Sequence, residues 1–116
     1  MGITGTRGRA GEDLAAAYLA LSGARVLERN VRLAGVEVDL VAEDGGAHVV
    51  VEVKYRGRGD YGGAAAAIDH SKRERLRRAA LALQRGSARR VRIDVIAIEL
   101  DPDGARLTHY RNAIEG

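Results

Sequence analysis

Two valine-rich segments joined by a glycine pair constrain the fold of this chain more than any other feature. VEVDLVAE (36–43) and AHVVVEVKY (47–55) alternate in the manner of β-strands, and EDGG (43–46) is a turn signal. Together they predict a tight β-hairpin. The strands also carry charges that a buried sheet does not need: Glu37 and Asp39 in the first, Glu52 and Lys54 in the second.

The length of the hairpin loop decides which of these charges meet. A two-residue loop at Gly45-Gly46, or a four-residue loop over 44–47, places Asp39 opposite Glu52 and Glu37 opposite Lys54. A two-residue loop one position earlier shifts the pairs by two and keeps the same side chains on one face. A three-residue loop separates them.

Opposed carboxylates on a sheet require a cation. Directly opposite Cβ atoms lie about 5 Å apart, and like charges there are destabilising. Lys54 is one candidate cation, and a divalent metal held by Asp39 and Glu52 is the other. A small, incomplete set of carboxylate oxygens suits Mg²⁺ or Mn²⁺, which keep several waters. The alternative is a half-exposed sheet whose outer face carries ion pairs, and the pattern alone does not exclude it.

The remaining segments complete an α/β pattern of order α-β-β-β-α-β-β. Ser71 and Glu74 form a capping-box signal for the second helix, and the strand at 90–100 becomes apolar on both faces, as a central strand does. We therefore predict a three-layer-like sandwich of a mixed β-sheet flanked by helices. Residues 1–9 are predicted to be a flexible N-terminal arm and 10–116 a single domain. Its elements are predicted at 10–21, 25–33, 36–43, 47–55, 90–100 and 105–112, with a second helix that is capped at Ser71 and ends before Gly86.

Composition limits the classes of protein. The chain has no cysteine and no apolar run of the roughly 20 residues that a membrane span needs, so a soluble, cytoplasmic protein without a membrane partner is expected. The net charge is +3, and of its 19 cationic residues only Lys54 and Lys72 are lysine. A lysine retained against this arginine bias is informative, since its pKa can be tuned.

Two basic segments are candidate nucleic-acid contacts. Arg56, Arg58 and Tyr61 lie in the glycine-rich loop 56–63, where they could bind phosphates or stack on a base. Lys72 and Arg75, three residues apart on the second helix, could meet a backbone phosphate. The alternatives are a solvated loop and a solvent-facing helix.

Three further polar residues are interpreted as structural. Asp94 lies among apolar residues and requires a partner if it is buried. It is expected to hold an arginine, and the alternative is that it orients a residue of the candidate site. His48 is expected at the surface, and His109 in edge packing.

The sequence as a whole resembles the YraN-type family, which are small bacterial proteins assigned to the PD-(D/E)XK nuclease superfamily and similar in fold to archaeal Holliday-junction resolvases. The resemblance covers nearly the whole chain in the right order. It is carried by GED (11–13), RNVR (29–32), EVDLVAEDGG (37–46), VEVKYR (51–56), RIDVIAI (92–98) and HYRNAI (109–114).

The resemblance implies a restriction-endonuclease-like core and a catalytic set. Asp39 matches the metal-ligating aspartate of the superfamily, and Glu52 and Lys54 match the two ends of its E-x-K motif. The carbonyl of Val53 would be a further metal ligand, and Glu12 matches the glutamate that completes the site in resolvase-like members. Two departures bear on substrate detail: valine at position 36 where the family has glycine, and valines at 31 and 51 in place of aromatic residues.

The resemblance also implies a function. We expect an Mg²⁺- or Mn²⁺-dependent endonuclease-like protein that hydrolyses phosphodiester bonds in DNA, with branched or damaged DNA as a candidate substrate. A non-catalytic nucleic-acid-binding module on the same fold is the alternative, and a protein-interaction domain a third hypothesis. Resolvase relatives work as two-fold dimers, so a homodimer is a further expectation.

Overall fold

The order of secondary structure elements is the predicted one. The computed structural model describes residues 2–56 and 68–114, with the backbone alone for residues 2–8, 56, 100 and 101. The predicted α/β class and element order are confirmed. The elements are α1 (Gly2–Leu21), β1 (Arg25–Leu33), β2 (Val36–Asp44), β3 (Ala47–Arg56), α2 (His70–Arg85), β4 (Val91–Asp101) and β5 (Gly104–Ile114).

The five strands form one mixed sheet in the order β1-β2-β3-β4-β5. β3 and β4 are parallel, and every other neighbouring pair is antiparallel. Each helix packs on its own apolar cluster, so the sheet is buried on both faces. The α1 cluster includes Ala15, Leu19, Leu40, Ala42, Val49, Val51, Ile96 and Ile98. The α2 cluster includes Val36, Val38, Val41, Val50, Leu76, Ala79, Ile93, Val95 and Ala97. β4 contributes to both clusters, as predicted for a central strand.

The hairpin between β2 and β3 has the predicted register. Asp44 pairs with Ala47 and Leu40 with Val51, across a two-residue loop at Gly45 and Gly46. Both glycines have positive φ, 57° and 85°. Consecutive positive φ values define the turn whose twist matches that of the flanking strands, and glycine adopts them without steric cost.

β2 and β3 separate beyond this ladder. Their pairing ends at Leu40 and Val51, after which β2 continues against β1 alone and β3 continues against β4. We call this opening the strand fork. The side chains of β2 change face at the same point, because Val38 packs in the α2 cluster and Leu40 in the α1 cluster. Unbroken alternation over 36–43 would predict that positions 36, 38, 40 and 42 share one face, and this prediction is wrong for the strand as a whole.

Both helices begin earlier than the sequence predicted. α1 begins at Gly2 and not at Ala10, within the segment assigned to an arm. Once a helix is held by packing, each added residue gains a backbone hydrogen bond, which offsets the weak propensity of glycine. α2 is capped by Asp69, whose side chain accepts a 2.8 Å hydrogen bond from the Lys72 amide, so the cap predicted at Ser71 is wrong. Neither helix has the apolar length that would let it cross a membrane, judged over the described residues.

Gly11 sets how closely α1 approaches the sheet. A Cβ atom at this position would lie 2.9 Å from the ring of Tyr55 and 3.7 Å from Val53. A glycine inside a helix costs about 1 kcal/mol relative to alanine. The close contact with β3 therefore explains why glycine stands here, next to Glu12.

The close approach of Gly11 to Tyr55 predicts that Gly11→Ala changes stability in opposite directions in the wild type and in a Tyr55→Ala variant. Gly11→Ala should destabilise the protein by about 1–2 kcal/mol, because overpacking against Tyr55 outweighs the gain in helix propensity. In a Tyr55→Ala background the same change should stabilise by up to about 1 kcal/mol. Urea unfolding of the four proteins measures both values.

The matched control is Ala10→Gly, one residue earlier on the exposed side of α1. It should cost about the same in either background, since propensity alone governs it. An equal effect of Gly11→Ala in both backgrounds would show that Tyr55 does not limit the approach of the helix.

Candidate functional site

Asp39 lies at the strand fork and accepts a hydrogen bond from a backbone amide that no β2 carbonyl accepts. Its Oδ2 accepts a 2.8 Å hydrogen bond from the amide of Val53. Val53 lies past the end of the β2–β3 ladder, so no β2 carbonyl is paired with it. A buried amide without an acceptor is costly, and the carboxylate supplies that acceptor.

Glu52 reaches the same point from β3. It is on the α2 side of the sheet, like Val50, and its side chain is only 6% exposed. Glu52 Oε2 forms an ion pair with Lys72 Nζ at 3.2 Å, from the first turn of α2. The Glu52 carboxylate also contacts that of Asp39. Two acids and one lysine therefore meet at the strand fork, and we call them the fork cluster.

The electrostatics of the fork cluster are unfavourable for two full negative charges. Burial, and then the neighbouring Glu52 charge, raise the pKa of Asp39 from 3.8 to about 7. The Val53 amide and the Lys72 ammonium act in the opposite direction and offset only part of the increase. One cation does not fully compensate two buried carboxylates, so the cluster retains a proton near neutral pH.

Lys54 and Glu37 do not form the predicted pair. Lys54 is half-buried on the α2 side of β3, and no hydrogen bond or ion pair joins it to another described residue. Glu37 instead lies 3.9 Å from the Arg32 guanidinium of β1, with both side chains exposed. The ladder ends before these positions, so the register that is right at Leu40 does not extend to them.

Glu12 lies on the first helix, next to Gly11. Its carboxylate accepts a 2.9 Å hydrogen bond from Asn30 and is 3.9 Å from Arg29. Among the described residues no group of three or more His, Cys, Asp or Glu side chains is arranged to hold a metal ion. The role of Glu12 in completing the site therefore stays a prediction.

The predicted nucleic-acid contacts fall into two groups. Arg58 and Tyr61 lie outside the described residues, as does the side chain of Arg56. Lys72 belongs to the fork cluster, and Arg75 is exposed one helical turn further on. The structure thus gives Lys72 a carboxylate partner that sequence analysis did not expect.

The fork cluster fits a hard divalent cation on the chemistry of its donors. Asp39 and Glu52 provide oxygen ligands in contact with each other, and the Val53 amide fixes the orientation of one of them. Two carboxylates suit Mg²⁺ or Mn²⁺, because these ions keep water and substrate oxygens in their remaining positions. Burial and the neighbouring Glu52 charge raise the pKa of Asp39, and a bound cation would favour its ionised form.

A second buried acid, Asp94, is fully satisfied within the protein. It accepts hydrogen bonds from Arg92 at 3.0 and 3.2 Å, from His109 Nε2 at 2.8 Å and from the Asn112 amide at 2.9 Å. Tyr18 from α1 bonds the other nitrogen of His109 at 2.8 Å. The interpretation of Asp94 as a structural group that holds an arginine agrees with this geometry. The interpretation of His109 as edge packing was incomplete, since its side chain joins β4, β5 and α1.

The position of Lys72 had a signal in the sequence. It precedes Leu76 by four residues, so it extends the apolar stripe of α2 toward the sheet. Because arginines surround Lys72 on α2, the segment was interpreted as a basic surface and the side of Lys72 that faces the sheet was not recognised.

His48, expected at the surface, is half-buried, and its Nδ1 has no hydrogen-bond partner among the described residues.

The fold and the fork cluster describe an α/β protein with acidic residues where two central strands separate. Residues 11–98 match the family described as Uncharacterised protein family UPF0102, and the chain belongs to that family. A UPF0102 protein of Geobacter sulfurreducens is 47% identical over 97% of this chain and 89% of its own length. One of Janthinobacterium sp. (strain Marseille) is 47% identical over 93% of this chain and 86% of its own.

The family membership suggested by the motifs is therefore confirmed. Among solved structures, one titled as Pyrococcus furiosus SfsA in complex with Ca²⁺ is 17% identical, with a TM-score of 0.40 over 93% of this chain and 63% of that one.

The pKa of Asp39 predicts how stability depends on pH. The folded protein keeps this proton up to about pH 7, whereas the unfolded chain loses it near pH 3.8. The contribution of Asp39 to stability is therefore full below pH 3.8 and is lost as the pH rises to about 7. Asp39→Asn, which keeps an acceptor for the Val53 amide, should be more stable than wild type by at least about 1 kcal/mol at pH 8. The advantage should shrink toward pH 4.

Urea unfolding at several pH values in EDTA measures this difference. Asp13→Asn is the control, because Asp13 is an exposed carboxylate of α1 paired with Arg29 at 2.6 Å. Asp13→Asn should show no gain in stability over the wild type as the pH rises. The same result for Asp39→Asn would contradict the raised pKa.

Proposed function

We propose that this protein is a metal-dependent endonuclease-like phosphodiesterase of the PD-(D/E)XK type that acts on DNA, with branched or damaged DNA as candidate substrates. One observation carries the proposal: two carboxylates are held together at the strand fork with a shortage of positive charge. The E-x-K motif at Glu52 and Lys54 supports it independently.

The cost of the fork cluster favours a catalytic role. A protein that only binds a polyanion gains nothing from adjacent carboxylates, which repel phosphate and each other. A divalent cation removes both penalties, and the order of the residues along β2 and β3 matches the superfamily motif. A site that is unfavourable for stability and suited to a metal is typical of an active site.

The residues would divide the work as follows. Asp39, fixed by the Val53 amide, and Glu52 would hold Mg²⁺ or Mn²⁺, with the Val53 carbonyl as a further ligand. The bound ion would supply Lewis-acid polarisation of the phosphodiester and make the attacking water more acidic. Lys54, with no partner among the described residues, would orient that water or stabilise charge on the phosphate. Glu12 would complete the acidic set from α1.

Lys72 would neutralise Glu52 until a metal binds. Its ammonium is 3.2 Å from the Glu52 carboxylate, so a cation at Glu52 would be repelled at close range. Lys72 would then move toward the substrate phosphate, as expected from its predicted role as a nucleic-acid contact.

The Lys72–Glu52 ion pair is also the observation that favours the second candidate, a nucleic-acid-binding module without catalysis. In such a module Lys72 would be the permanent counter-ion of the acids. The two functions are distinguished by whether a metal ion supports DNA cleavage and whether Asp39→Asn abolishes it. The homodimer stays a prediction under either.

The first test is cleavage of labelled linear, flapped and four-way-junction DNA in Mg²⁺ or Mn²⁺. The wild type should cut at least one of these substrates, and Asp39→Asn, Glu52→Gln and Lys54→Ala should each lose about 10²-fold or more in rate. Glu12→Gln tests the third acid against Asp13→Asn, its exposed neighbour, which should retain full activity. DNA binding without cutting, unchanged in the three variants, would instead support the binding module.

The second test measures the metal directly. Mn²⁺ affinity by titration calorimetry should rise about tenfold per pH unit up to about pH 7 and then level off, because binding must displace the proton that Asp39 holds. Lys72→Ala should bind Mn²⁺ about tenfold more tightly, since a competing charge is gone.

Asp39→Asn should bind Mn²⁺ far more weakly and without this pH dependence. Asp13→Asn should match the wild type. Equal affinity in the wild type and Asp39→Asn would exclude the fork cluster as the metal site.

A further inference from the structure

A cavity of about 240 Å³ lies beside the fork cluster, between the β1–β2 turn and the first turns of α2. Its lining contains three cationic side chains and one carboxylate. The lining residues are Arg32, Gly35, Val36, Glu37, Lys72 and Arg75. Lys72 is common to the cavity and the fork cluster, so the two are continuous through one side chain.

The cationic groups of this cavity have free donors. Arg75 forms no hydrogen bond or ion pair with another described residue. Arg32 donates to the Gly35 carbonyl at 3.2 Å and lies 3.9 Å from Glu37, an exposed contact of little energy. Each guanidinium has five N–H donors, so most of them remain for a ligand.

The helix terminus itself contributes little to this site. Asp69 already accepts the hydrogen bond of the Lys72 amide at the start of α2. The excess positive charge therefore comes from side chains on two separate elements, β1 and α2. Guanidinium forks that converge from two directions suit the oxygens of a phosphate group.

We propose that this cavity is a subsite for a backbone phosphate of the bound nucleic acid, one that flanks the phosphate at the fork cluster. The inference rests on the proposed function and extends it to the path of the strand. A polymer with successive phosphates engages the cavity and the fork cluster together, with Lys72 between them. Arg32 and Arg75 hold the strand in register, and Glu37 limits its affinity.

The test is binding of a fluorescently labelled four-way junction and a linear duplex, measured by anisotropy in EDTA over a range of salt concentrations. Arg32→Ala and Arg75→Ala should each weaken binding several-fold and reduce the slope of log K against log salt by about 1. Arg85→Ala, which removes the same charge from the last turn of α2, should have little effect.

Glu37→Gln provides a result that misfolding cannot imitate. Removing the carboxylate of the cavity should strengthen binding several-fold, whereas Glu28→Gln, an exposed acid on β1, should leave it unchanged. An NMR titration of the arginine Nε–H signals distinguishes the ligand: DNA should shift Arg32 and Arg75 at micromolar concentrations, and inorganic phosphate only at far higher ones.

Each outcome has a definite meaning. Equal losses for Arg75→Ala and Arg85→Ala, with wild-type binding intact, would overturn the subsite and leave the proposed function standing. Tight binding of inorganic phosphate without binding of DNA would overturn it in favour of a free anion. No binding of either DNA by the wild type in EDTA would overturn the subsite, whereas the proposed function is decided by the cleavage test in Mg²⁺ or Mn²⁺.

Discussion

The hydrogen bond from the Val53 amide to the Asp39 carboxylate is the contact on which the site depends. Where β2 and β3 separate, the sheet gives up backbone bonds in its buried centre, which is costly unless other acceptors replace them. Asp39 replaces one at 2.8 Å. This bond fixes a carboxylate in the strand fork, next to Glu52, and the pair then requires the Lys72 ammonium at 3.2 Å. One interrupted ladder thus brings the two acids together, and the packing of α2 places Lys72 beside them.

The two sites with buried acids differ in how fully the carboxylate is hydrogen-bonded. Asp94 has three hydrogen-bonding partners, Arg92, His109 and the Asn112 amide, which leave its carboxylate satisfied. Asp39 has one amide and a second carboxylate, and its pKa rises to about 7. The same chain can therefore satisfy a buried acid and does not do so at the fork. A buried acid that its surroundings compensate only in part is typical of a functional site.

Much of this fold could be predicted from local patterns. The Gly45-Gly46 turn set the register of the hairpin, and the apolar residues on both faces of 90–100 identified a central strand. The sequence does not encode where a ladder stops, because that depends on the competing pairings of β2 with β1 and of β3 with β4. For this reason the predicted contact of Asp39 with Glu52 is present, whereas the predicted pairing of Glu37 with Lys54 is not. Lys72 was missed as a carboxylate partner because helix and sheet packing decide it.

Charges of opposite sign are separated around the strand fork. The two carboxylates lie in the fork with Lys72 beside them. Arg32 and Arg75 line the adjoining cavity, which extends toward the β1–β2 turn. Negative charge is thus buried and positive charge lies outside it. A polyanion approaching along the cations is attracted over most of its path and meets the acids only at one point. Under the proposed function, a divalent cation at that point would turn the repulsion into attraction, so nucleic-acid binding and metal binding would favour each other.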